Sequence, residues 1–92
     1  LKERVLIVED ERAIQVALSS LLRKEGYAVD VLENGTAACE AFGAHSYDLV
    51  ITDLALGAGP SGMDVLRAAK QARAETPVVL ITAHGSEKLA VE

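Results

Sequence analysis

Four residues stand directly at the ends of aliphatic runs and carry side chains that could do chemistry together. Glu9 and Asp10 follow Val5-Leu6-Ile7-Val8, Asp53 follows Leu49-Val50-Ile51-Thr52, and Thr82 closes Val78-Val79-Leu80-Ile81. Runs of this kind suit strands buried on both faces. In an open parallel sheet, ligands bind beyond the carboxyl ends of the strands, where the strand order reverses. Three carboxylates and a hydroxyl would then meet at one rim. Carboxylates held that close repel one another and take up protons unless a cation neutralises them. Oxygen ligands without His or Cys beside them favour Mg2+. Such an ion next to a carboxylate suits phosphoryl transfer: the metal offsets charge on the phosphoryl oxygens, Asp53 is the natural in-line nucleophile, and the Thr82 hydroxyl can bond the transferred group.

These positions need a scaffold that alternates strand and helix. After the first strand, Ile14, Ala17, Leu18, Leu21 and Leu22 recur at helical spacing, with Arg12, Gln15, Ser19, Arg23 and Lys24 on the other face and Gly26 where the helix would stop. Tyr27 to Leu32 alternates as a short strand, and Asn34-Gly35 turns the chain into a second helix through Ala38, Cys39, Ala41 and Phe42. The strand Asp48 to Thr52 leads into the small-residue stretch Gly57-Ala58-Gly59-Pro60-Ser61-Gly62. A third helix follows from about Met63 to Arg73, with Val65, Leu66 and Ala69 inward, and Thr76-Pro77 breaks it. Val78 to Thr82 is the most apolar strand, and Ser86 is placed to cap a further helix ahead of Glu87 and Leu89. Alternation of this kind predicts an α/β fold, a doubly wound parallel sheet with helices on both faces. The chain starts at Leu1, and Glu92 falls about two turns into the last predicted helix without a stop signal, so the expectation is a piece of a longer polypeptide.

Composition narrows the function classes. Ninety-two residues allow one domain, and 50% hydrophobic with 25% charged residues is a globular mixture. Only Phe42, Tyr27 and Tyr47 are aromatic, which argues against stacking on bases or sugars. A net charge of −5 argues against direct contact with nucleic acid or an anionic membrane and fits attraction of a cation. Cys39 stands alone, without a disulfide partner or metal-ligand spacing, and reads as core or boundary packing in a reducing compartment. With no apolar run of membrane-spanning length and no signal-peptide pattern at the start, the expected location is cytoplasmic.

The segments VLIVEDE, DLVITDLAL, GMDVL and PVVLITAHGS together resemble the receiver domain of two-component response regulators, across all 92 residues as a single incomplete domain. The resemblance implies a flavodoxin-like sheet of order 2-1-3-4-5. It implies that Asp53 accepts a phosphoryl group from a phosphohistidine on a sensor histidine kinase or phosphotransfer protein. Asp10 would bind Mg2+ directly, Glu9 mainly through water, and the backbone carbonyl of Ala55 would be a further ligand. Thr82 would hydrogen-bond the aspartyl phosphate and bias a two-state surface that signals to an output domain or a homodimer partner. Ala55 and His84, two past the Asp and two past the Thr, fall at positions associated with tuning phosphate lifetime. Such a protein catalyses its own phosphotransfer and slow autodephosphorylation without being an enzyme in the usual sense. ITAHGSEKLAVE is also similar to receivers of nitrogen-regulator-type transcriptional activators, whose DNA contacts would be made elsewhere in the chain.

Taken singly, each residue has a plainer reading. Glu9 and Asp10 suit a helix N-terminus, Asp53 a solvated loop, Thr82 an ordinary β-branched strand position, and His84 an exposed loop. Their placement at successive strand ends in the family's order makes the case. Met63 is expected to pack and Asp64 to face solvent, while His45 and Tyr47 carry no distinguishing context. Two departures stand out: the stretch from Asp53 to Met63 is about four residues longer than the family's usual one, with its proline late, at Pro60, and the family's Lys-bearing fifth strand and last helix would lie beyond Glu92. The rivals are a pseudo-receiver acting as an interaction or dimerisation module without phosphorylation, and a phosphatase-type hydrolase. The latter places a D-x-D pattern at its first strand, which this chain lacks.

Overall fold

The computed structural model describes residues 2–82 and 89–91. Strands β1 (Arg4–Val8), β2 (Ala28–Leu32), β3 (Leu49–Asp53) and β4 (Val78–Ile81) alternate with helices α1 (Arg12–Lys24), α2 (Gly35–Ala44) and α3 (Gly62–Ala72), and β5 (Leu89–Val91) follows. The sheet order is β2-β1-β3-β4-β5, with the first four strands parallel. This is the α/β, doubly wound, flavodoxin-like architecture expected from the sequence.

Side chains alternate across β1, so each face of the sheet acquires its own core. Val5 and Ile7 join Val29 on one face, with Leu18 and Leu22 of α1 packed over them. On the other face Leu6, Val8 and Val50 meet Ala38 of α2, Val65 and Ala69 of α3, and Tyr47. Asn34 caps α2 by accepting from the Ala37 amide at 2.8 Å, and Ser61 and Asp64 form a reciprocal capping box at α3. Both caps fix where a helix begins immediately beside the strand ends.

Three expectations need correction. Leu89–Val91, predicted as helix, pairs antiparallel with β4, in the register Val79↔Val91 and Ile81↔Leu89. A helix there cannot satisfy the outward amides and carbonyls of β4, whereas a strand does. The strand beside β4 here is this short antiparallel segment, and it is distinct from the Lys-bearing strand that the resemblance places after Glu92. On α1, Ser19 is buried and Leu21 is 56% exposed, the reverse of the predicted faces. The small Ser19 side chain satisfies its hydroxyl on the Val16 carbonyl at 3.3 Å and can sit close to the sheet without an unpaired polar atom. Met63 is 36% exposed, because the inward side of α3 is taken by Val65 and Ala69. Asp64 faces solvent as expected, and Cys39 is half-buried, in keeping with a boundary position.

Candidate functional site

The parallel register brings the predicted residues to one rim. Val8 lies opposite Thr52 and Asp53 opposite Ile81, so Glu9 and Asp53 leave adjacent strands at the same level, and Thr82 follows on the next. Backbone hydrogen bonds extend the sheet one residue past the strands, with the Glu9 amide donating to the Leu32 carbonyl (3.0 Å) and the Leu54 amide to the Ile81 carbonyl (2.9 Å).

Glu9, Asp10 and Asp53 can each present one carboxylate oxygen within 4.8 Å of the others. Glu9 is 2% exposed and Asp53 7%, while Asp10 faces solvent. The Glu9 carboxylate accepts from the Glu11 amide at 3.0 Å, and the Gln15 side-chain amide donates to the Glu9 backbone carbonyl. Asp53 Oδ1 accepts from the Ala55 amide at 3.2 Å, which fixes the rotation of the carboxylate. Thr52, fully buried, donates its hydroxyl to the Asp53 carbonyl at 3.0 Å. Thr82 is half-buried at the end of β4, and His84 lies outside the described residues.

Electrostatics oppose the ionised form of Glu9. Burial pushes the Glu9 carboxyl up to about 7, and the negative charges of Asp53 and Asp10 push in the same direction against the Glu11 hydrogen bond. A buried carboxyl facing two others is the arrangement a cation relieves. The donors gathered here are all carboxylate oxygens, the set a hard divalent ion such as Mg2+ takes, so the residues fit that ion.

The long connection after β3 borders this site. Leu56 is buried in the core, the Gly62 amide closes the loop on the Leu54 carbonyl at 2.9 Å, and Gly57 and Gly59 turn it with φ of 74° and 90°. Farther along the loop than Ala55, a Cβ at Gly57 would stand 4.0 Å from Asp10 Oδ2.

Two polar features escaped the sequence reading. Gln15, assigned to the solvent face of its helix, instead positions Glu9; its spacing six residues on could have signalled that reach. Tyr47, 3% exposed, donates to Asp30 at 2.9 Å, and Arg4 Nε donates to the same oxygen at 3.0 Å. Burial alone would raise the Asp30 carboxyl, but these two donors hold it below the ordinary value, while burial and Asp30 push the Tyr47 hydroxyl up to about 12. Nothing in the local sequence signals this contact between β2 and the loop that leads into β3. A broad groove of about 640 Å³ runs along the β2 edge past Arg4, Asp30, Glu40 and His45, and its acids and bases are mixed. Among the described residues, the acidic rim is where three carboxylates gather.

The response regulator receiver domain profile matches residues 5–92. A transcriptional regulatory protein of Bacillus subtilis, YkoG, is 42% identical over 85 residues, which is 92% of this chain and 37% of the relative. The sensory transduction protein RegX3 of Mycobacterium tuberculosis is 45% identical over 83 residues, 90% of this chain and 36% of the relative. The chain thus spans about a third of the length of these curated relatives. Among solved structures, the response regulator TrrA of Thermotoga maritima in complex with Mg(2+)-BeF superposes with a TM-score of 0.81 at 36% identity, covering 90% of this chain and 71% of that one. With the strand order, the acidic rim and these matches in agreement, the chain belongs to the response regulator receiver domain family.

Proposed function

We propose that this receiver is a phosphorylation-activated switch with Asp53 as the acceptor. The observation that carries the reading is the convergence of Glu9, Asp10 and Asp53 oxygens within 4.8 Å at the ends of adjacent parallel strands. An Asp53 carboxylate oxygen attacks phosphorus as the phosphorus–nitrogen bond to a kinase phosphohistidine breaks, and the departing imidazole takes up a proton from solvent. The Ala55 amide on Oδ1 holds the carboxylate in one rotation for that attack. The Thr82 hydroxyl donates to the phosphoryl oxygen of the product. Asp10 and Asp53 would hold Mg2+ directly and Glu9 through water, with the Ala55 carbonyl as a further ligand; when bound, the ion offsets negative charge on the phosphoryl oxygens. The small side chain of Ala55 leaves the pocket open to water and donor, which makes position 55 a tuning position, as the resemblance implies for His84 as well.

The partners follow from the family. A histidine kinase or phosphotransfer protein supplies the phosphoryl group, and α1, with Val16 51% and Leu21 56% exposed, is the docking face. The phosphorylated state is passed to an output domain or a second copy. RegX3 and YkoG, by their names, belong to sensory transduction and transcription regulation, which supports a DNA-binding output and a cytoplasmic setting. The domain itself, at a net charge of −5, keeps clear of the nucleic acid.

Intact-mass spectrometry of the protein with Mg2+ and acetyl phosphate tests the reading. A gain of one phosphoryl group that disappears in Asp53→Asn is the expected result. No gain at saturating Mg2+ and donor refutes it in favour of a pseudo-receiver. A gain that persists in Asp53→Asn moves the acceptor elsewhere.

A further inference from the structure

We infer that Gly35, at the start of α2, is a positioning residue for the acidic site, acting through Pro60 and the long β3–α3 loop. This inference deepens the proposed function and rests on it for its metal readout. The loop is pinned at several points. Its feet are closed by the hydrogen bond from the Gly62 amide to the Leu54 carbonyl, and Leu56 is sunk in the core. Gly62 packs so tightly against the Asp53 carbonyl and Leu54 that a Cβ there has no space. The last pin is on another element. Pro60 rests on the backbone of Gly35, where an added Cβ would run into the Pro60 carbonyl and stand 2.8 Å from the Pro60 Cβ. Farther along, Gly59 lies beside Thr36 of α2, and Gly57 beside Asp10.

The mechanical consequence follows from which pins can yield. A methyl group on Gly35 forces the Pro60 carbonyl back by on the order of 1 Å to reach ordinary contact. Gly62 cannot absorb that movement, because it already abuts the Asp53 carbonyl, and Leu56 is held by the core. The displacement passes to Ala55 and Gly57, the two loop residues nearest the carboxylates. A residue 18 positions before Asp53, with no side chain and no contact to a carboxylate, thereby sets the geometry of the ligand cluster. Pro60 and Gly59 are the loop residues that reach α2, so the dependence runs through the second half of this loop.

The test is a double-mutant cycle on the intact protein between Gly35→Ala and deletion of residues 57–60. Two readouts are taken: the amide chemical shifts of Asp53 and Ala55 without metal, and the Mg2+ dissociation constant. In the natural loop, Gly35→Ala is expected to shift both amides and to weaken Mg2+ binding about fivefold. In the shortened loop it is expected to be silent, within twofold and without amide shifts. Equal effects in both backgrounds, or none in either, overturn the inference, since Gly35 would then act only within α2. Should Gly35→Ala not fold, Pro60→Gly loosens the same contact from the other side: shifted Ala55 and Gly57 amides support the inference, and unshifted ones overturn it. If the natural protein neither binds Mg2+ nor accepts a phosphoryl group, the functional reading fails, and the metal-free amide shifts still decide the role of Gly35.

Discussion

Glu9→Gln should make the metal-free protein more stable, and only at neutral and alkaline pH. The folded protein holds the Glu9 carboxyl at about 7 rather than 4.5, chiefly because the group is buried, with Asp53 and Asp10 adding repulsion. A raised acid binds its proton more tightly when folded than when unfolded. As pH climbs from about 4.5 to about 7, the unfolded chain releases that proton first, and folding stability falls through this window. The full shift corresponds to about 3 kcal/mol lost by pH 8. Gln keeps the shape and can still accept from the Glu11 amide, but carries no charge to desolvate. The two proteins should therefore have nearly equal stability at pH 4.5 and differ by up to about 3 kcal/mol at pH 8, a melting difference on the order of 10–20 °C for a chain of this size. Urea unfolding in EDTA at both pH values measures the gap. A gap that is the same at both, or a natural protein that gains stability between pH 5 and 8, refutes the argument that Glu9 is a buried, electrostatically opposed carboxyl.

Other changes probe separate parts of the molecule. At pH 8, Mg2+ at a hundredfold its dissociation constant should add about 2.7 kcal/mol to the natural protein and distinctly less to Glu9→Gln, read by the same unfolding curves. Asn34→Ala removes the side chain that caps the Ala37 amide and should cost about 1 kcal/mol in urea unfolding while leaving Mg2+ affinity within twofold. Tyr47→Phe deletes one of two donors to Asp30 and should cost about 1 kcal/mol at pH 7. Because Asp30 is held below its ordinary value, that loss should shrink as pH falls through the acid range and Asp30 protonates, which unfolding at pH 3 would show.

The sequence disclosed the strands best because strands buried on both faces must be uninterrupted and aliphatic. Val5–Val8 and Val78–Ile81 have few other uses, and the residues just past them are where polarity resumes. The acidic site was legible for the same reason: Glu9, Asp10 and Asp53 mark the points where two central strands leave the core. What stayed hidden depends on distances across the fold. Tyr47 and Asp30 are 17 positions apart, and only the folded arrangement of β2 and the loop before β3 shows that a phenol and a carboxylate share a hydrogen bond. Ser19 deceived the helical pattern because periodicity ranks side chains by polarity, whereas a small hydroxyl that bonds its own helix can be buried at little cost. Leu89–Val91 was misassigned because a Ser ahead of Glu and Leu resembles a cap. Local signals of that kind weigh less than an unpaired edge of the most apolar strand.

The residues that best fit the fold and those that best fit the function pull in opposite directions, and they do so within single strands. In β1 and β3 the buried aliphatic positions, Val5 to Val8 and Val50, lower the free energy of the sheet by leaving water. The acids at the ends of these runs, Glu9 and Asp53, are also withdrawn from water, and at Glu9 burial and the charges of Asp53 and Asp10 oppose the ionised carboxyl. A mutation that neutralised Glu9 would improve the fold, so the acid's presence there answers a demand other than folding. The demand has to be one that a concentration of negative charge meets, which means a ligand bearing positive charge. Under the proposed function, such an ion would offset the charge of an incoming phosphoryl group, which the carboxylates alone would repel. Relief of the repulsion on Glu9 would be part of the gain on binding a cation. That gain is the free energy available to favour one conformation of the rim over another, because a ligand shifts a conformational equilibrium only by its differential affinity for the two states.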